Sequence, residues 1–196
     1  MLKNCLPLFA LLISVACESP FTTREAELPD GSSSTFLNPT SPDIVFVNLR
    51  IAFDERNVEN YIRTFVDSTR SSRRFKFLPD EGVAATRPGT FLNWSLEDER
   101  RYLTKLFQAT SPDSVLRLTF FEDKTDESAN SATVTQNYRL TARHSRQELG
   151  LGPEVLGQAI FYLERNETGD WSIHRWEDFK VNTADQSWSE LKAFFQ

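Results

Sequence analysis

The feature that most constrains this chain is a change of hydrophobic period near residue 110. Before it, helical spacing of three and four dominates; after it, the strand pattern dominates as far as residue 179. Val45, Leu49 and Ala52 form a first helical repeat, opened by Ser41-Pro42, where a capping residue and a first-turn proline suit a helix start. Asn57 reads as a second cap, and Val58, Tyr61, Ile62, Phe65 and Val66 then give a broad amphipathic stripe. Phe75-Lys-Phe-Leu-Pro79 alternates and stops at proline, which predicts a short strand. A Gly/Pro-containing loop follows. Ser95-Leu-Glu-Asp98 has the form of a capping box and predicts a helix through Tyr102, Leu103, Leu106 and Phe107.

From Val115 onward everything reads as strand. Leu116, Leu118 and Phe120 share one face of the first. In the second, Val134, Tyr138, Leu140 and Ala142 oppose Thr133, Thr135, Asn137, Arg139 and Thr141. Gly157–Glu164 is nearly apolar on both faces, the mark of a central, covered strand. Asn166–Asp170 is a hairpin turn whose second arm is Trp171–Phe179, and Trp188, Leu191, Phe194 and Phe195 mark a short final helix. The acidic run Glu122–Ser131 reads as a hairpin loop; it lacks the spacing and the glycine of an EF-hand. Helices first and antiparallel strands afterwards specify an α+β domain over residues 43–196.

Two segments carry a family likeness within that order: Ala52-Phe-Asp-Glu-Arg-Asn57-Val-Glu-Asn-Tyr61-Ile, and the closing Ala159-Ile-Phe-Tyr-Leu with Gly169-Asp-Trp-Ser-Ile-His-Arg-Trp176-Glu-Asp178. The chain from about residue 43 to 180 resembles the nuclear transport factor 2-like superfamily, the cystatin-like cone. The resemblance implies a curved antiparallel sheet wrapped around N-terminal helices, with a pocket at the cone mouth. It also implies a choice among isomerase or dehydratase chemistry, non-catalytic ligand binding and dimerisation through the sheet, because fold alone does not select a function.

The N-terminus indicates where such a domain works. Lys3, an apolar run from Leu6 to Ile13, small residues and Cys17 form a secretory leader. Its end resembles the lipobox of bacterial lipoproteins, in which the cysteine is diacylated and becomes the new N-terminus; Val15 and Ala16 fit, whereas Ser14 stands where leucine is usual. Residues 1–16 are thus read as a lipoprotein signal peptide and Cys17 as the lipidation site, with ordinary signal cleavage as the alternative. Two acyl chains suffice for stable anchoring, so the expected partner is a membrane, reached through the acyl chains, in the bacterial cell envelope. Glu18 after the cysteine favours the outer over the inner membrane by the sorting rule of enteric lipoproteins. Residues 17–42, rich in Pro, Ser and Thr and without apolar periodicity, read as a flexible tether.

The net charge of −6, one unit more negative once Lys3 is cleaved, excludes nucleic acid as a natural partner, since that binding rests on neutralising phosphates. Two histidines without ligand spacing argue against a metal, and no phosphate loop or nucleophile elbow is present, so no cofactor is expected. The catalytic candidates are His174, Asp178 and Tyr138. Gln136, Tyr138, His144, His174 and Trp176 are the candidate pocket residues, with His174 expected on the face of Trp176. Three readings stand: a lipid-anchored, non-catalytic envelope domain binding a small apolar ligand or a protein partner; an isomerase or hydrolyase with His174 or Asp178 as base and Tyr138 as donor; and a structural lipoprotein that forms a homodimer through its sheet.

Overall fold

The structure, a computed structural model, describes residues 35–196; the leader, Cys17 and residues 18–34 of the expected tether lie outside the described residues. Among the described residues, five α-helices and five strands follow one another as α1 (Pro42–Asp54), α2 (Val58–Ile62), β1 (Lys76–Leu78), α3 (Glu81–Thr86), α4 (Leu96–Ala109), β2 (Leu116–Glu127), β3 (Ser131–Ala142), β4 (Glu154–Arg165), β5 (Trp171–Phe179) and α5 (Trp188–Phe195), with one 3-10 turn (Gln147–Leu149) between β3 and β4. The strands form one curved sheet in the order β1-β5-β4-β3-β2, antiparallel throughout except that β1 runs parallel to β5. The α+β cone expected from the sequence is the fold observed.

Local chemistry explains the elements. Asn57 caps α2 by accepting from Asn60 N, and Ser95 with Asp98 closes the expected capping box on α4. Ser41 makes no side-chain cap, so Pro42 in the first turn carries that helix start. Two differences from the sequence reading follow from backbone pairing. Glu81–Thr86, read as loop, is a short helix because Asp80 accepts from both Gly82 N and Val83 N. The acidic run is largely strand: β2 continues to Glu127 past a bulge between Phe121 and Lys124, with Glu122 at φ 55°. That half of β2 is exposed, so its charges stay solvated while the backbone pairs with β3.

A second bulge, in β5, matters more. Arg175 pairs with Tyr162 and Ile173 with Leu163, which leaves His174 as the extra residue. One inserted residue shifts the alternation by one, so Trp171, Ile173, Trp176 and Asp178 all face inward. The strap Thr35–Ser41, which the sequence places in the tether, is laid along α1 instead. The Asn48 side chain accepts from Leu37 N (2.9 Å) and donates to Leu37 O (2.8 Å), Trp171 N donates to Pro39 O, and the Arg63 guanidinium stacks 3.8 Å from the Phe36 ring.

Inside the cone lie Phe53, Tyr61, Tyr102, Tyr138, Phe161, Trp176 and, from α5, Trp188 and Phe195, all with essentially no exposed surface. Tyr138 reaches its position across Gly157, its cross-strand partner on β4. A Cβ at Gly157 would collide with the Tyr138 hydroxyl and sit 2.6 Å from Phe179 O. Gly157→Ala is therefore expected to cost about 3 kcal/mol through overpacking, read as a lower urea midpoint with unchanged slope.

Candidate functional site

Two polar clusters occupy the cone, and α5 belongs to both. In the first, Tyr138 Oη donates to Asp178 Oδ1 (2.6 Å) and accepts from Trp188 N (2.7 Å). Asp178 Oδ2 accepts from Ser189 N (2.7 Å) and Ser189 Oγ (2.5 Å). The first amides of α5 thus find their acceptors on the sheet, which meets the obligation every helix start carries. Burial pushes the Asp178 carboxyl up, opposed by the hydrogen bonds from Ser189 and Tyr138.

In the second cluster, Lys192 Nζ pairs with Glu99 Oε1, both side chains wholly enclosed. Glu99 also accepts from Trp94 Nε1 (2.7 Å) and Tyr61 Oη (2.8 Å), while Trp188 Nε1 donates to Tyr102 Oη (2.9 Å). The Lys192 ammonium lies 3.7 Å from the Trp176 ring centroid, 3.9 Å from Phe77, 5.2 Å from Tyr102 and 5.8 Å from Trp94. Aromatic faces attract a cation most strongly where water is excluded. Burial lowers the Lys192 pKa to about 8, with Glu99 working against that shift.

The candidate residues do not converge. Gln136, Tyr138, Trp176 and Asp178 share the inner face. His174 lies on the opposite face, half-buried, and its Nε2 accepts from Arg73 Nη1 at 2.7 Å. Its placement beside Trp176, expected from simple alternation, is corrected by the β5 bulge. Burial first, then Arg73, lowers its pKa. His144 is buried at the far end of β3, 5.1 Å from the Phe195 ring, with Nδ1 accepting from Arg146 N; burial lowers its pKa. Neither histidine touches the Tyr138–Asp178 pair.

Glu99, Lys192, Tyr61, Tyr102 and Trp94 were absent from the sequence candidates. The signal existed: Glu99 precedes Tyr102, Leu103 and Leu106 at i+3, i+4 and i+7, and Lys192 occupies the i+4 place after Trp188. A charge on the apolar stripe of each of two helices, of opposite sign, marks a buried pair.

Outside the cone, a cleft of about 410 Å³ opens between the strap, the end of α2 and the β4–β5 turn; Phe36, Ile62, Phe65, Val66, Leu96 and Trp171 supply its apolar surface. Glu59, Arg63, Asp67, Arg70 and Glu164 also line it. A wider trough of about 830 Å³ shares Val66, Ser68 and Leu96 and runs past Phe75, Phe91 and Trp94. Among the described residues, no helix is long and apolar enough to cross a membrane.

No family model matches the chain, and no curated protein matches it. Solved structures do. A candidate aromatic ring hydroxylase from Novosphingobium aromaticivorans aligns at TM-score 0.52 and 13% identity, over 71% of this chain and 86% of that one. The Kfla4162 protein from Kribbella flavida aligns at TM-score 0.52 and 15% identity, over 76% and 91%. An NTF2-like protein from Cytophaga hutchinsonii aligns at TM-score 0.50 and 9% identity, over 70% and 93%. At these identities the likeness is one of fold.

The three cone tyrosines give a pH signature. Burial, then the neighbouring carboxylates Glu99 and Asp178, raises Tyr61, Tyr102 and Tyr138 well above 10. Their folded pKa values exceed the unfolded ones, so this contribution to stability is complete below about pH 10 and is lost as pH rises further. The unfolded chain then releases phenolic protons that the native chain retains. Stability in urea is expected to fall steeply above that pH, with the three tyrosines ionising only as the chain unfolds; ionised-phenol absorbance followed beside far-UV dichroism checks it.

Proposed function

We propose that this chain is a lipid-anchored, non-catalytic domain of the bacterial envelope that binds a small apolar ligand in the surface cleft beside its docked strap. One observation carries the non-catalytic part: the acid–base groups inside the cone are engaged by the protein's own helix. A general base must come within hydrogen-bond reach of a substrate proton. Tyr138 and Asp178 instead direct their hydrogen bonds to each other and to Trp188 N, Ser189 N and Ser189 Oγ. His174, the other base considered, sits on the opposite sheet face with Arg73. The isomerase or hydrolyase alternative therefore loses its catalytic constellation in this conformation.

The cleft between strap and β4–β5 turn supports the binding part. Its volume, about 410 Å³, falls in the range of small-ligand sites, which pair apolar walls with a few polar groups. Aromatic and aliphatic side chains from the strap, α2, the α2–β1 loop, α4 and β5 meet there, and Arg63, Arg70 and Glu164 supply polar contacts. The leader, Cys17 and the segment that follows it support the anchor, and the docked strap brings the domain's entry point beside this cleft.

Two experiments test the proposal. Intact mass of the membrane fraction should show an acyl increment on wild type that Cys17→Ser lacks, with the variant released from the membrane; an unmodified, soluble wild type sinks the anchor. For the cleft, a fluorescent fatty-acid probe should bind wild type at least about tenfold more tightly than Ile62→Glu, with both melting within a few degrees. Equal affinity for the two chains rejects the cleft as the site.

A further inference from the structure

We propose that the cone interior is a binding site for an arylalkylammonium ligand, and that α5 is its built-in occupant, closing the site until it is displaced. The inference goes beyond the surface cleft and depends on neither that cleft nor the anchor.

The argument starts from what α5 inserts. Trp188 and Lys192 stand four residues apart and so project from one face of the helix, presenting an indole and an ammonium side by side. Each meets a matching receptor. The ammonium meets the Glu99 carboxylate and the faces of Trp176 and Phe77, the combination by which proteins recognise organic cations. The indole packs edge-on to Trp176 at 4.5 Å and donates its N–H to Tyr102.

Stability alone does not call for this arrangement. A buried ion pair is generally no better than well-packed apolar residues of similar volume, so a helix needing only to stay docked has a simpler solution. Two further polar atoms on the inner face, Gln136 Oε1 and Trp176 Nε1, are buried without a partner among the described residues. Native interiors leave few such groups, and a ligand carrying a polar substituent can satisfy them when α5 withdraws. The helix adds no strand to the sheet, and residues 181–184 of its connector are exposed, so α5 can swing away while every strand stays paired. With Lys192 gone, Glu99 retains donors from Trp94 and Tyr61 beside the rings that faced the ammonium, an arrangement selective for a cation. Apparent affinity falls by the fraction of chains that are open: one open chain in a thousand weakens binding about a thousandfold.

Tryptamine, an indole joined to an ammonium, is the probe; indole-3-propionate, with the same ring and a carboxylate, is the control. Hydrogen exchange on the full wild-type chain should show the amides of residues 188–195 exchanging at least about tenfold faster with tryptamine and unchanged with indole-3-propionate. Glu99→Gln should abolish the response. Lys192→Ala supplies a second arm if that variant does not fold: ethylammonium should raise its melting temperature saturably, while ethanol should not. The proposal is overturned if wild-type exchange ignores tryptamine at concentrations that stabilise Lys192→Ala, if both indoles act alike, or if ethylammonium rescues nothing.

Discussion

Everything in this cone turns on one enclosed ion pair, Glu99 with Lys192. Taking two charges out of water costs several kcal/mol per ion after relaxation, and the pair survives only where further hydrogen bonds and good geometry offset that penalty. Here Trp94 and Tyr61 complete the Glu99 carboxylate, and two aromatic rings flank the ammonium at under 4 Å. The partners come from α4 and α5, so neither helix can shift without stranding a buried charge unless another cation takes the place of Lys192. Breaking such a pair by losing one member typically costs 3–5 kcal/mol, comparable with much of a domain's net stability.

The second cluster works with the first. Asp178 and Tyr138 accept the leading amides of α5 from the sheet side, while Glu99 holds the helix one turn on from the α4 side. Because these groups are spent on the helix, the cone interior resembles an occupied receptor more than an open reaction chamber. What faces solvent is different in kind: an apolar cleft with a charged rim, walled by the strap and the α2–β1 loop.

Much of the fold was legible because its signals are local. Asn57 and Ser95 announced their helices by capping chemistry, and the alternation of Val134, Tyr138, Leu140 and Ala142 placed them on one face as found. Legibility ended where a backbone irregularity or a distant partner decided the outcome. His174 was assigned to the wrong face because a bulge leaves no mark in the alternation of a short strand. The strap at 35–41 reads as tether by composition, yet Asn48, eleven residues from Leu37, supplies both a donor and an acceptor to hold it. In the site, Tyr138 and Asp178 were found on sequence grounds, whereas Glu99 and Lys192 look like ordinary solvated charges unless each is set against its helix's apolar stripe.

The sequence by itself determined the α+β class, the order of its elements and the inward set of β3, since periodicity and capping act over a few residues and need no distant partner. Tertiary structure alone decided which charges are buried, which face His174 takes and what fills the cone. Those outcomes depend on side chains up to 93 residues apart meeting in one water-free volume, where the cost of an unpaired charge favours the arrangement that pairs them.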